Sequence, residues 1–303
     1  MQQYPSFSII IPTYRRRKQL AACLESIAQL QYPRDRFEVL VVSDETEMPP
    51  EDIVRAFRDK LTVTLLTQAH GGPAAARNTG AARAQGSVLA FTDDDCAPSA
   101  GWLEVLAKHL VTSPDSIIGG HTVNALPDNS CSVASQMMVD YLYSYFNANH
   151  DDGAFFASNN MCVPADLFHR IGGFDPGFPM AAAEDRDFCD RWVHRGYRLI
   201  YAPEAVVYHA PALTLLTFWR QHFRYGRGAL HLRQRQVARS RRGAGIHPLS
   251  FYVNLLRYPF SHAPSGRALR ASLLLAISQA ATVGGFSWEK IVSRLRSGRQ
   301  TSS

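Results

Sequence analysis

The short run Val88-Leu-Ala-Phe91, followed by Thr92 and the three consecutive carboxylates Asp93, Asp94 and Asp95, constrains the fold more than any other stretch. The run is continuous and apolar, with Gly86 before it and Pro98 after it, and so predicts a buried strand. Three like charges at one strand end repel one another unless a cation or hydrogen-bond donors offset them. Asp93 and Asp95 are two apart and would share one side if strand geometry persisted, an oxygen pair suited to Mg²⁺ or Mn²⁺. On these residues alone, a solvated acidic turn and a metal site both remain open.

The neighbouring chain repeats the same kind of unit. Phe7 to Ile11 is an apolar, β-branched run stopped by Pro12, and Phe37 to Val42 and Val63 to Leu66 are similar. Between them Leu20, Leu24, Ile27 and Leu30, and then Ile53, Val54 and Phe57, recur at helical spacing. Gly71-Gly72-Pro73 introduces an alanine-rich helix over residues 74–84. Strands alternating with helices predict βαβ units and a mostly parallel, Rossmann-like sheet, whose ligands gather outside the carboxyl ends of the strands. Pro12-Thr13-Tyr14, Asp44-Glu45 and Asp93 to Asp95 all fall at such ends. No GxGxxG follows the first strand, which speaks against a dinucleotide fold.

After residue 115 the pattern changes. Ile117 to Val123 reads as a strand, Ser132 to Phe146 as a helix, and Phe155 to Val163 as a strand mixed with a polar turn. Ile171-Gly-Gly-Phe-Asp175 reads as a turn. Glu184 to Asp187 opens a helix that Gly196 ends as a C-cap. Tyr197 to Ala202 and Val206 to Tyr208 read as two short strands, with His209 after the second.

The chain has 303 residues, 46% of them hydrophobic, enough for one large domain or two small ones. Met1-Gln-Gln-Tyr-Pro5 carries no basic n-region and Phe7 to Ile11 is too short for a signal segment. The five cysteines, Cys23, Cys96, Cys131, Cys162 and Cys189, lack CxxC spacing, so reduced thiols, a cytosolic setting and no zinc are expected. The net charge of +6 is uneven: from residue 206 onward fifteen Lys and Arg face the single acid Glu289, and the rest of the chain is net acidic. A basic tail of this kind suits an anionic surface or polymer.

Together these segments resemble family-2 glycosyltransferases. The resemblance is carried by Phe7-Ser-Ile-Ile-Ile-Pro-Thr-Tyr14, Val41-Val-Ser-Asp44, Gly72-Pro-Ala-Ala-Ala-Arg-Asn-Thr-Gly80 and Phe91-Thr-Asp-Asp-Asp95, then by Ile171-Gly-Gly-Phe-Asp175 and Ala183-Glu-Asp-Arg-Asp187. It extends from about residue 6 to residue 230. The family's usual Asp-Asp-Gly-Ser after the second strand stands here as Ser43-Asp44-Glu45-Thr46, which keeps one Asp and alters the loop. The resemblance implies an α/β GT-A fold, a nucleotide-diphosphate sugar donor and a divalent metal, Mg²⁺ or Mn²⁺. It implies residues 1–115 as the nucleotide-sugar half and 116–230 as the acceptor half; residues 231–303 are left as a basic, partly apolar helical extension. Pro12, Thr13, Tyr14, Asp44, Arg77, Asp93 and Asp94 would serve the donor, with Asp95 and Asp93 at the metal. Asp185 would be the base, with Glu184 as the fallback.

Glycosyl transfer needs a cation to offset charge on the leaving diphosphate and a carboxylate to take the acceptor's proton. One metal centre and one base suffice for a single inverting displacement. His209 is a candidate third metal ligand, and a satisfied loop histidine is the alternative. Asn159 and Asn160 are candidates for the acceptor site, against a plain polar turn. Trp219 could stack on a sugar, against a place in the core, and Arg220, Arg224 and Arg227 form one helix face facing diphosphate or acceptor. Ala271 to Trp288 is free of charge and flanked by basic residues, which suggests an interfacial or packed helix rather than a spanning one.

The function expected is an inverting, metal-dependent glycosyltransferase acting in polysaccharide or glycolipid synthesis of the cell envelope. Its acceptor would be a carbohydrate or a lipid-linked sugar. It would bind no nucleic acid and lie peripherally at the inner face of the cell membrane. A nucleotidyltransferase would need an early phosphate-clamping glycine loop, and Tyr14-Arg-Arg-Arg-Lys18 has charge but no glycine. A nucleotide-sugar-binding module with a dead site is the non-enzymatic alternative.

Overall fold

The computed structural model describes residues 5–151, 153–178, 182–240 and 247–300. In chain order its strands are β1 (Phe7–Thr13), β2 (Phe37–Ser43), β3 (Val63–Thr67), β4 (Val88–Phe91), β5 (Cys96–Pro98), β6 (Ile117–Asn124), β7 (Met161–Pro164) and β8 (Leu199–His209). The helices are α1 (Arg17–Ile27), α2 (Glu51–Arg55), α3 (Gly72–Ala81), α4 (Trp102–Thr112), α5 (Ser130–Phe146), α6 (Ala165–Ile171), α7 (Glu184–His194), α8 (Leu215–Ser240), α9 (Leu249–His262) and α10 (Ser265–Gln300).

The strands form one sheet in the order β3-β2-β1-β4-β7-β6-β8-β5. Strands β3, β2, β1 and β4 run parallel, as the alternating strand and helix pattern predicts. β7 enters antiparallel to both β4 and β6, and β5 lies antiparallel to β8, so the sheet is mixed. β1 is buried along its whole length, which is why Phe7-Ser-Ile-Ile-Ile-Pro-Thr13 carries no alternation. Ile9 and Ile11 join Leu20, Leu24 and Ile27 of α1 in one core, together with Leu103 and Leu106 of α4. On the other face α3 approaches the sheet so closely that a Cβ on Gly80 would lie 2.6 Å from Ile10.

β4 ends at Phe91, as its apolar run predicts, and Thr92 to Asp95 form a turn, so the strand geometry that would set Asp93 and Asp95 on one side does not persist. One expectation of strand geometry is corrected. β8 is one strand rather than two. Its irregularity falls between residues 202 and 206, where the register with β6 shifts between Gly120 and His121. Asn160 holds this shift. Its Nδ2 donates to His121 O at 3.0 Å and to Ala205 O at 2.8 Å, and its Oδ1 accepts from Trp102 Nε1 at 2.9 Å. With 0% exposure and both ends of its amide engaged, Asn160 is a bracket inside the sheet and leaves the acceptor set.

The chain forms two compact units, interleaved along the sequence, so neither follows the boundaries expected at 115 and 230. The first comprises Met1–Ala125, Phe146–Pro176 and Asp185–Ala210 and holds the whole sheet. In the second, α8 and α10 cross with almost no space between backbones. A Cβ on Gly226 would lie 1.9 Å from Thr282 O, and one on Gly285 would lie 1.9 Å from Phe223 O. Near this crossing Glu289, the tail's single acid, is buried against Arg227 at 2.6 Å and His231 at 3.1 Å. Arg227 is thereby turned to a structural partner rather than toward diphosphate or acceptor.

Candidate active site

The acidic triplet lies at the carboxyl end of β4, and each of its carboxylates meets a different part of the fold. Asp93 accepts from Arg77 Nη2 of α3 at 2.6 Å. Asp94 turns inward, accepting from Thr13 Oγ1 at 2.8 Å and from Arg16 Nη1 at 3.2 Å. Asp95 lies 2.9 Å from the same Arg16 nitrogen and 3.3 Å from His209 Nε2 at the end of β8. The last contact follows from pairing, because β5 begins at Cys96 and places it opposite His209. Residues 114 positions apart in sequence are thus fixed as neighbours by the sheet itself, and the fold brings Asp95 and His209 together.

Asp95, Cys96 and His209 offer ligand atoms within 4.8 Å of one another. Burial, with the nearby charges of Asp93 and Asp95, holds the Cys96 thiol well above its ordinary range. In the metal-free protein this disfavours the thiolate, and the thiol is a soft donor less suited than oxygen or imidazole to Mg²⁺ or Mn²⁺. For Asp95, burial pushes upward, but the hydrogen bond and charge of His209 and the charge of Arg16 outweigh it and hold the carboxyl below its ordinary range. An ionised carboxylate oxygen and a neighbouring imidazole nitrogen make a donor set that fits a divalent cation such as Mn²⁺.

The donor-side residues sort by accessibility. Pro12 and Thr13 are buried in β1, and Thr13 acts by fixing Asp94. Arg77 is 3% exposed and presents its guanidinium to Asp93, so it positions that carboxylate instead of meeting the nucleotide itself. Tyr14 is 39% exposed at the end of β1. Asp44 differs from expectation. Its Oδ1 accepts from Gln68 Nε2 at 2.7 Å and from Gly71 N at 2.8 Å, and its Oδ2 accepts from Gly72 N at 2.8 Å. His70 Nδ1 lies 2.8 Å from that same Oδ2. A carboxylate offers about four acceptor sites, so Asp44 is saturated by the segment leading from β3 into α3. A cavity of about 400 Å³ opens at the ends of β1 and β2, lined by Thr13, Arg15, Arg16, Ser43, Glu45 and Met48 among others.

The turn Ile171-Gly-Gly-Phe-Asp175 is tied to α3. Asn78 Nδ2 donates to Phe174 O at 2.7 Å and its Oδ1 accepts from Phe174 N at 2.9 Å. Gly172 and Gly173 have φ of 94° and 63°, so the turn requires them, and a Cβ on Gly173 would also meet Asn78 Oδ1 at 2.6 Å. Glu184 opens α7 and is buried, and Asp185 follows half-buried with its Oδ1 accepting from Arg186 N at 2.7 Å. Burial raises the Asp185 carboxyl above its ordinary range, partly offset by that hydrogen bond and by the charges of Arg77 and Arg186. Just before, Ala183 holds φ of 72°, a strained value for a non-glycine residue, typical of functional segments. Asn159 is half-buried, with Thr122 Oγ1 at 3.4 Å from its Oδ1. Trp219 and Arg220 are exposed on α8 in the second unit. Arg16, Gln68 and His70 were not singled out in the sequence: their partners lie 24 to 79 residues away and follow no short motif.

Asp94 gives the site a pH signature. Burial raises its carboxyl from 3.8 to about 6; the Arg16 charge and the Thr13 bond pull it back, and Asp95 and Asp93 push it further up. A raised acid favours the folded state while protonated, so this contribution is complete below 3.8 and lost as pH rises through about 6. In the metal-free protein, Asp94→Asn should therefore gain on wild type by about 2 kcal/mol between pH 4 and pH 7. Urea unfolding across that range checks this, and a constant difference would contradict it.

The family model "Glycosyl transferase family 2" matches residues 8–170, more than half of the chain. Glycosyltransferase AglE of Haloferax volcanii is 27% identical over 231 residues, covering 75% of this chain and 74% of that protein. The pre-mycofactocin glycosyltransferase of Mycobacterium tuberculosis is 29% identical over 284 residues, covering 89% of this chain, which spans about half (52%) of that longer protein. Among solved structures, the mannosyltransferase PcManGT of Pyrobaculum calidifontis, in complex with GDP-Man and Mn²⁺, aligns with a TM-score of 0.61 at 21% identity, covering 97% of this chain and 81% of that one. That likeness shows the GT-A fold. With strands, motif residues and family model in agreement, the chain belongs to glycosyl transferase family 2.

Proposed function

We propose that this enzyme moves a sugar from a nucleotide-diphosphate donor to an acceptor hydroxyl with inversion, assisted by Mn²⁺ or Mg²⁺. The observation that carries the reading is the Asp95–His209 pair beside Asp93 at the end of β4. The Mn²⁺ and GDP-Man held by PcManGT support it by analogy of fold. Asp95 and His209 would hold the cation, which when bound would offset charge growing on the leaving diphosphate. An imidazole ligand favours Mn²⁺ over Mg²⁺. Asp93, oriented by Arg77, would meet the donor's ribose, with Tyr14 at its base.

Asp185 is the proposed base. Burial raises its carboxyl above the ordinary range, which makes it a stronger proton acceptor than an ordinary aspartate when ionised. Glu184 is the fallback, and Asn159, Trp219 and Arg220 are the acceptor candidates that remain. Membership of the glycosyltransferase family removes the nucleotidyltransferase alternative. The retained Asp93 and Asp95 pair and Glu184-Asp185 weigh against a dead binding module.

The second unit adds a proposal about place. Ser265–Leu295 of α10 is long and apolar enough to cross a membrane by length and composition. One face, with Ala271, Leu275, Ser278 and Ala281, is buried, and the other exposes Leu269, Leu273, Val283, Trp288 and Ile291. Arg267, Arg270, Lys290 and Arg294 flank the exposed stripe. An amphipathic helix of this kind lies in a bilayer interface, helped by anionic lipid. The enzyme would then sit peripherally at the inner membrane face and act on a lipid-linked or membrane-presented acceptor in cell-envelope synthesis.

Asp185→Asn should leave donor binding intact and slow transfer by roughly 10²–10⁴-fold in single-turnover assays. An active Asp185→Asn alongside an inactive Glu184→Gln would move the role to Glu184. In flotation with phosphatidylglycerol vesicles, the full chain should rise with the lipid at low salt and be released at high salt. A chain that remains in the bottom fraction at low salt contradicts the membrane proposal alone.

A further inference from the structure

Saturation of Asp44 raises the question of how a nucleobase reaches it. Three of its four donors are fixed. Gly71 N and Gly72 N belong to the start of α3, and Gln68 is locked because its Oε1 accepts from Thr79 Oγ1 at 2.6 Å. The fourth, His70, has a side chain 63% exposed to solvent. Its ring also lies against Tyr14, with centroids 4.5 Å apart and planes inclined by 33°. Since the partner of Nδ1 is a carboxylate, which only accepts, Nδ1 carries the proton.

His70 therefore offers this corner of the site two things: a flat ring for Tyr14 and an N–H for Asp44. A nucleobase such as uracil or guanine has the same two features, a π face and ring N–H donors. The site already holds an internal imitation of its expected ligand. Gly71 and Gly72 keep their N–H groups on Asp44, so release of His70 requires movement of its exposed side chain alone.

We propose that His70 is a resident stand-in for the nucleobase, occupying Asp44 and the Tyr14 ring until a donor nucleotide displaces it, and so sets the affinity for the base. The proposal rests on the donor-site reading above. The cost of displacing His70 is the same for every base and lowers the affinity of each by one common factor. Diphosphate recognition, by contrast, does not involve His70.

The test is calorimetric titration of wild type and His70→Ala with UDP, GDP and ADP, each with Mn²⁺, and separately with inorganic pyrophosphate and Mn²⁺. Removing the competitor should tighten the preferred nucleoside diphosphate about three- to tenfold, the scale of one exposed hydrogen bond to a charged group, and leave pyrophosphate unchanged. In wild type, the His70 imidazole resonances should shift on adding that nucleotide and not on adding pyrophosphate. Unchanged or weaker nucleotide binding by His70→Ala overturns the proposal while the donor site stands. Failure of wild type to bind any of the three nucleotides overturns both.

Discussion

Three adjacent carboxylates at the end of a buried strand would repel one another, and the way this repulsion is offset ties the first unit together. Asp93 is held by Arg77 of α3, Asp94 by Thr13 of β1, and Asp95 by His209 of β8, while Arg16 bridges Asp94 and Asp95 from the start of α1. The Thr13–Asp94 and His209–Asp95 contacts each require a particular neighbour relation in the sheet: β1 beside β4, and β5 beside β8. The triplet is thus an organising point of the fold as much as a site. Its members also differ chemically as a result. Asp94 is raised by burial, whereas Asp95 is held ionised by His209 and Arg16 despite burial. Identical side chains acquire separate tasks through surroundings alone.

The same division between residues that bracket and residues that face a ligand runs through the other polar motifs. Asn160 closes the irregularity between β6 and β8, Asn78 fastens the Gly172-Gly173 turn, and Asp44 gathers the loop before α3. Each is a polar group in a place where an unmet hydrogen bond would be costly, and each meets its partners within the chain. What remains open at the strand ends is a smaller set: Tyr14, His70, Asp93, Asp95 and His209, with Asp185 on its own helix.

Much of this was legible in sequence where the signal is local. The unbroken apolar runs of β1, β2 and β4 announce strands buried on both faces, and Leu20, Leu24 and Ile27 announce the inward side of α1. β5 was not legible, because three residues ending in Pro98 carry no period, yet it is β5 that carries Asp95 to His209. α4 went unread although Trp102, Leu103, Leu106 and Leu110 recur at helical spacing. The internal partners of Asp44, Arg77 and Asn160 were not legible for a different reason. Their residue types suit a ligand, but their partners are set by tertiary contacts that no spacing rule contains.

The central claim is that Asp95 and His209 together hold the divalent cation. Electron spin echo spectroscopy of the protein with Mn²⁺ and a nucleoside diphosphate tests it most directly, because a coordinated imidazole imprints nitrogen modulation on the echo. The account predicts this modulation in wild type and its loss in His209→Gln with Mn²⁺ still bound, and weakened Mn²⁺ binding in Asp95→Ala. Mn²⁺ bound with no nitrogen coupling in wild type, or a coupling that survives in His209→Gln, would contradict it.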